Sequence, residues 1–578
     1  MLLQKLNEYA DRPDMHMPPR LYTNAPVRYI IELDAGGNFL ALTDTAGTDK
    51  ATKRGVWHEV PEIVKTSGVR AFILAGNADY VLGFVGEAGK PAKVAQRHTA
   101  FCELVDQCAV ATADARILAV SAFLQGDPVG KCGLPQDFNP AARITFRVND
   151  VFVIDLPSVQ AFWADSVDEK NSKAPEAKCL ICGLRRRTAL TIEKVKGIPG
   201  GQMGGTSIIS FNAAAFLSYN LESCLNAPVC ESCGARFTKS LNALLRDQQS
   251  HIIIGNVAYV FWTREPKAKF SFATIITEPT ADLVKQLVTS ATRGREGAVT
   301  ALDEEEMSRF YATALSGSGG RAVVREWIDT TVGEAKAHLA RWFRLQEIVP
   351  QFGEYTPLNI RQLAYATVRT GDRNNPPPPN ISRSLLRTAL AGVPLPDDLL
   401  YQAVRRNRAE RAVTQQRAAL IKMVLLSQRP DFEEDDMVEL DTTNTEPAYL
   451  CGRLLAVLEN AQVKAINTTT IVDKFYGTAS SAPATVFAQL IRGAQPHLSK
   501  LHRDHPGIAV NIERNLNEII SGLNTFPKTL TLQQQGIFAL GYYHERARRW
   551  AAKPASDGTQ ITNASTDSND LTKKEQIS

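Results

Sequence analysis

The stretch SFNAAAFLSYNLESCLNAPVCESCG, Ser210 to Gly234, ends in a Cys-Glu-Ser-Cys-Gly turn. A Cys-Leu-Ile-Cys-Gly turn precedes it, with 47 residues between Cys182 and Cys230. Cys179, Cys182, Cys230 and Cys233 thus form two CxxC pairs, each followed by glycine. A CxxC turn aims two thiolates at one point, and zinc takes four such soft ligands in a tetrahedron. The intervening loop is longer than in most zinc ribbons, but the entropy of closing a loop grows slowly with its length. The expected site is structural zinc, because four cysteines leave no open coordination position for catalysis.

Outward from this knuckle insert, the preceding chain reads as strands. Val27–Asp34 and Asn38–Thr45 flank Ala35-Gly36-Gly37, and Ile144–Val148 and Val151–Asp155 flank Asn149-Asp150; both are hairpin signals. His251–Trp262 reads as a later strand interrupted at Gly255-Asn256, with a helix around Ala235–Leu245. After about residue 290 the pattern turns helical, with Asp303 and Glu306 capping a helix. Pro376–Pro379 makes a stiff connector and the acidic run Asp431–Asp436 a second boundary. Apolar stripes at helical spacing then begin at Leu450, Phe487, Ile508 and Leu532, four helices of a bundle. The fold class expected is α+β: a strand-rich N-terminal body with a zinc-knuckle insert, followed by an all-α C-terminal helical bundle. Its divisions are an α+β domain over 1–290, a helical Arg-rich region over 291–436, the bundle over 437–552 and a disordered tail over 553–578.

Composition narrows the function. A 578-residue chain exceeds one core, and its net charge of +4 is too small to announce a nucleic-acid binder by itself. Nine cysteines, an odd number, do not resemble a secreted disulfide framework, and no apolar run approaches the roughly 20 residues that span a bilayer. The N-terminus has no signal-peptide pattern, so the expected compartment is cytoplasmic, with no membrane partner. Catalytic signatures are missing too. The glycines of KGIPGGQMGGTS lack the Lys-Ser/Thr of a phosphate loop and read as a mobile loop beside Lys194 and Lys196; the nine histidines form no metal or triad pattern.

Cations are better placed. Arg185, Arg186 and Arg187 follow the first knuckle; Arg405, Arg406, Arg408, Arg411 and Arg417 crowd VRRNRAERAVTQQR with only Glu410 opposing them, and Arg546, Arg548 and Arg549 close the last helix. Lys50, Lys53, Arg54, Lys65 and Arg70 surround TSGVRAFILAGNADYVLG. Each alone reads as a solvated face; several together suggest basic surfaces that follow phosphates.

KGIPGGQMGGTSIISFNAAAFLSYNLESCLNAPV, continuing to FTKSLNALL, resembles the large subunit of the type I-C CRISPR Cascade complex, the Csd-one family. So do TSGVRAFILAGNADYVLG, LLRTALAGVPLPDDLL, EPAYLCGRLLAVLE and QQGIFALGYYHERA, in family order from the N-terminus to about Lys553. The chain departs from the family pattern in its second cysteine pair, and in Ala71-Phe72-Ile73-Leu74 where the family usually has Pro-Asn-Phe-Leu.

The resemblance implies a non-enzymatic subunit of a crRNA-bearing complex. It would inspect duplex DNA for a short protospacer-adjacent motif, help open it, steady the displaced strand and recruit the helicase-nuclease. Guide pairing carries most sequence information, so a small reading loop and backbone-tracking charge suffice. Lys65, Thr66, Ser67, Arg70 and Asn77 are the expected reading residues, with Lys50, Lys53 and Arg54 holding phosphates nearby. The family's C-terminal bundle also resembles the complex's small subunit, which implies a second product started inside the gene; Met437 precedes the bundle, and the 142 residues from it carry all four stripes. A metal-dependent nuclease and a zinc-stapled crRNA-binding protein are the alternatives, and the sequence offers the first only capping acids and scattered histidines.

Overall fold

Asp34 sets the first turn of the chain's main sheet. Its carboxylate accepts from the backbone N–H groups of Gly36 and Asn38 at 2.8 and 2.9 Å, closing the hairpin expected there. The computed structural model describes all residues except 50–51, 62–68, 70, 87–89, 171–173, 212–213, 267–270, 297–303, 373–375, 430–435, 469 and 552–578. The expected cap Asp303, the acidic run up to Glu434 and Asp435, and the tail lie outside the described residues. The chain divides into two units, Met1–Thr274 with Ala298–Ala335, and Ile275–Gly297 with Lys336–Ser578.

In the first unit, β1 (Tyr22–Val27) pairs antiparallel with β4 (Val56–Pro61). A mixed sheet runs in the order β3 (Phe39–Asp44), β2 (Tyr29–Leu33), β6 (Ile144–Val148), β5 (Ala75–Gly76), with β7 (Val151–Phe152) added to β6. β2 and β6 are parallel, which requires a long crossover; the helices Pro91–Thr112 and Ala115–Leu124 lie within it. Ile31, Phe101, Phe123, Phe146 and Trp163 are buried in the core that results. The expected Asn149-Asp150 turn is present, both residues left-handed at φ 46° and 61°, as a two-residue hairpin between β6 and β7 requires.

A short hairpin, β8 (Glu176–Lys178) with β9 (Arg185–Arg187), carries the first knuckle. Beyond it a four-stranded antiparallel meander follows: β10 (His251–Ile254), β11 (Val257–Thr263), β12 (Arg309–Ser318) and β13 (Arg321–Thr331). Phe237 and Leu241 of the helix Glu231–Leu244 join Val260, Trp262, Tyr311 and Leu315 in its core. This corrects the helical pattern expected after residue 290. β12 is buried on both faces, so its largely apolar run, with Thr313 and Ser316 buried as well, carries no clean alternation to distinguish it from a buried helix.

The second unit is helical. Among the described residues its last part has five helices, Pro447–Ile466, Thr470–Ala479, Phe487–Asp504, Pro506–Ser521 and Leu532–Ala551, one more than the four stripes expected. The bundle is not self-contained. Leu400 of helix Asp397–Glu410, with Ile421 and Leu425 of helix Gln415–Ser427, closes around Gly536. A product begun at Met437 would lack that cover. No helix among the described residues is long and apolar enough to cross a membrane.

Candidate metal centre and nucleic-acid interface

The four knuckle cysteines converge. Their Sγ atoms all lie within 4.8 Å of one another, and Cys182 and Cys230 stand 4.0 Å apart. Thiolates at the roughly 2.3 Å of a zinc–sulfur bond would sit about 3.8 Å apart in a tetrahedron, so a small contraction completes the shell. Both turns are locked by the backbone. Gly183 N–H donates to the Cys179 carbonyl and Gly234 N–H to that of Cys230, each at 2.9 Å. Cys230 also precedes the helix Glu231–Leu244, whose first turn supplies Cys233. Three of the four are buried, with Cys182 at the surface.

The sulfur atoms are prepared for charge. Burial pushes the Cys179 thiol up, but N–H groups of Cys182, Cys230 and Ile181 favour its thiolate more strongly and lower it to about 7. Burial raises the thiols of Cys230 and Cys233, a cost a cation bound among them would reverse. The arrangement fits a closed structural metal site. Elsewhere, burial raises the thiols of Cys108 and Cys451 to about 12, and that of Cys132 to about 11, as for small apolar core residues.

A second constellation assembles around the turn that carries Lys53 and Arg54. Gly55 ends that turn at φ 107°, and a Cβ there would stand 2.2 Å from the Val27 carbonyl oxygen, so only glycine lets the turn lie against β1. Arg28 N–H donates to the Arg143 carbonyl at 3.0 Å, which brings residues 139–143 alongside. Ala78 N–H donates to the Pro140 carbonyl at 3.2 Å, which places Asn77 at the rim. Together these segments line a cleft of about 350 Å³. Arg28, Lys53, Arg54 and Arg143 give it four cations, Asn77 and Asn139 give it two amides, and among the described residues no carboxylate lines it. Arg28 is partly neutralised by Asp44 at 3.0 Å, whose hydrogen bond holds its guanidinium above the ordinary range.

Three predicted residues, Lys53, Arg54 and Asn77, therefore meet in one place, joined by Arg28, Asn139 and Arg143. Lys50, Lys65, Thr66, Ser67 and Arg70 lie outside the described residues. The sequence reading missed Arg28, Asn139 and Arg143 because more than a hundred positions separate Arg28 from the other two. Only the parallel pairing of β2 with β6 brings them together.

The other predicted cations are dispersed. Arg185, Arg186 and Arg187 are exposed along β9, with Glu176 the sole acid across the hairpin. Lys194 and Lys196 are exposed on a segment tied to the Glu231 helix, where Asn242 accepts from the Lys196 N–H at 2.8 Å and donates to the Lys194 carbonyl at 3.3 Å. The glycine loop that follows is anchored, contrary to the mobile loop expected. Gly317 N–H donates to Pro199, and Ser207 N–H to Gly320, at 2.7 and 2.9 Å. A Cβ on Gly317 would fall 2.2 Å from the Gly201 nitrogen, so two backbones touch where these glycines meet.

Arg405, Arg406, Arg408 and Arg411 belong to the second unit, on or just after the helix Asp397–Glu410. Arg405, Arg408 and Arg411 are exposed and Arg406 is half-buried. Arg417 is buried, paired with Glu410 at 2.7 Å and donating to the Ala366 carbonyl, so it holds the helices together instead of facing solvent. Arg546 and Arg549 likewise turn toward the buried Glu459, leaving Arg548 exposed from that trio.

A larger cavity of about 750 Å³ opens among Trp163, Glu193, Glu231, Arg236 and Lys239, and among the described residues none of the predicted ones lines it. Among known proteins, no curated protein matches the chain. A family profile described as CRISPR-associated protein (Cas_Csd1) matches residues 3–550, through both units and both knuckles. The chain belongs to the Csd1 family of CRISPR-associated proteins, whose members serve in a CRISPR Cascade complex.

Proposed function

We propose that this chain is the non-catalytic large subunit of a type I-C CRISPR surveillance complex, and that the cleft around Lys53, Arg54 and Asn77 engages the protospacer-adjacent motif of duplex DNA. The observation that carries this is the cleft itself: four cations and two amides line it, and Asp44 beside Arg28 only partly offsets their charge, in a chain of this family. Cations neutralise phosphates without regard to sequence, while an amide can pair with a base edge. The division of labour suits a complex in which guide RNA reads most of the target. In this reading the chain also promotes duplex opening, steadies the displaced strand and helps recruit the helicase-nuclease; its partners are the crRNA-bearing backbone and the small subunits. Arg185, Arg186, Arg187, Lys194, Lys196, Arg405, Arg406, Arg408 and Arg411 supply further backbone contacts.

Zinc is the metal proposed for Cys179, Cys182, Cys230 and Cys233. When bound it would supply a structural cross-link between the β8–β9 hairpin and the Glu231 helix.

The test is target capture by complexes reconstituted on a crRNA-bearing backbone. Lys53→Glu with Arg54→Glu should weaken capture and flatten its dependence on salt, since fewer counterions are released. Asn77→Ala should erode the preference for the correct motif. Wild-type capture and salt dependence in the charge-reversed complex would refute the reading. Magnesium-dependent DNA cutting by the purified chain would favour the nuclease alternative instead.

A further inference from the structure

From Ala214 to Ser223 every residue is exposed, including four large apolar ones: Phe216, Leu217, Leu221 and Tyr219, the last at 93%. The segment is nonetheless built. Buried Cys224 anchors its base with Sγ 3.3 Å from the Thr188 hydroxyl. The Asn226 side chain spans its mouth, donating to the Leu221 carbonyl at 2.7 Å and accepting from the Ser218 N–H at 2.9 Å. Leu221 N–H then closes a two-residue turn onto the Ser218 carbonyl at 2.9 Å.

Tyr219 and Asn220 form that turn, both left-handed at φ 51° and 57°. Asparagine tolerates this conformation, but a bulky side chain such as tyrosine costs about 1–2 kcal/mol there. Tyr219 is thus disfavoured by the backbone and gains almost nothing from burial. Stability does not account for it, and a strained, displayed side chain points to binding.

The surroundings say what it binds. The Arg321 guanidinium lies 4.0 Å from the centroid of the Phe216 ring. At the other root, Thr188, which holds Cys224, directly follows the exposed run Arg185–Arg187. Aromatic faces fringed by cations suit the bases and phosphates of an unpaired strand, because every base has a face to stack and every linkage a charge. An intact duplex hides those faces.

We propose that the Ser218–Leu221 turn is a stacking platform for an unpaired nucleic-acid base, with Tyr219 as the stacking ring and Arg321 and Arg185–Arg187 as flanking charge. Its ligand is a single strand, distinct from the duplex assigned to the Lys53 cleft. The choice of nucleic acid rests in part on that proposed function, so the two are tested separately.

The experiment measures binding of the full-length chain to a short unpaired strand carrying 2-aminopurine, by anisotropy and by quenching of the base. Tyr219→Asn suits the turn better than tyrosine, so its melting temperature should equal or exceed that of the parent chain. Its affinity should fall roughly 5- to 150-fold and its quenching should disappear, while Tyr219→Phe stays within about twofold. Lys53→Glu with Arg54→Glu should leave this difference between the Tyr219 variants in place. Unchanged strand affinity in Tyr219→Asn would overturn the platform and leave the cleft reading standing. Unchanged strand affinity combined with poor incorporation into the crRNA-bearing complex would also overturn it, and would make the turn a protein contact.

Discussion

Arg453 and Glu545 face one another with their side chains almost wholly closed to solvent, 1% and 2% exposed, and 3.1 Å between Nε and the carboxylate. Glu518, half-exposed, takes the other edge of the same guanidinium at 2.7 Å. This joins the helices Pro447–Ile466, Pro506–Ser521 and Leu532–Ala551. Removing one member of such a pair strands the other charge, whereas replacing both with apolar groups is often neutral. Arg453→Met should therefore cost about 3–5 kcal/mol in denaturant unfolding of the second unit. The double change Arg453→Met with Glu545→Leu should recover most of that loss. Additive losses in the double variant would show that the pair is not coupled.

His544 gives the bundle a dependence on acid. Burial, reinforced by the charge of Lys422 and opposed by the Met437 carbonyl, pushes its imidazole down to about 3. Its Nδ1 lies 3.0 Å from the Tyr449 hydroxyl. The unfolded chain takes up this proton near pH 6.5 and the folded chain only near 3, so the unfolded state binds more protons between them. The stabilisation is complete above about pH 6.5 and shrinks as pH falls, by about 1.4 kcal/mol per pH unit. His544→Phe should flatten the curve of unfolding free energy against pH by that slope. An identical slope in parent and variant would remove His544 from the account.

Two glycines mark where helices Pro447–Ile466 and Leu532–Ala551 cross. A Cβ on Gly452 would lie 2.1 Å from the Phe538 carbonyl oxygen, and one on Gly541 would lie 2.2 Å from that of Tyr449. A Cβ on Gly493, inside helix Phe487–Asp504, would meet nothing within 4 Å among the described residues. Gly541→Ala should lower the melting temperature by several degrees, because backbone must move to admit the methyl group. Gly493→Ala should raise stability by about 1 kcal/mol through helix propensity alone. Calorimetry of the two variants gives opposite signs if the crossing is as close as described.

Metal analysis of purified chain should find about one zinc per polypeptide, and less than half an equivalent in Cys182→Ser. Cys179, Cys230 and Cys233 share a core with Phe237 and Tyr311. Chelation should therefore lower the melting temperature of the first unit as well as loosen the knuckle. Full stability after complete metal removal would show that the cluster holds its shape by packing alone.

The parts of this molecule readable in sequence were those whose signals are local. Asp34 with Gly36-Gly37, and Asn149-Asp150, announce their turns within a few residues. The two CxxC pairs announce a shared ligand set by spacing, which the clustered sulfur atoms bear out. β12 is illegible as a strand because a run buried on both sides looks alike in strand and helix. Cations were the least legible. Arg417, Arg546 and Arg549 carry the same charge as their exposed neighbours, and only the carboxylates of Glu410 and Glu459 turn them inward. The Lys53 cleft needed Arg143, which β-sheet pairing alone brings beside Arg28.

The chain passes between its two units three times, leaving the first at Thr274, returning at Ala298 and leaving again at Ala335. β11 is complete at Thr263, yet its partner β12 begins at Arg309 and the outer β13 ends at Thr331. On a ribosome, Phe261 and Trp262 must therefore wait for their covering strand while the intervening segment is synthesised, a delay on the order of several seconds. The nascent polypeptide spends that interval as half a meander with an open edge, the state in which it is most exposed to aggregation or chaperone capture.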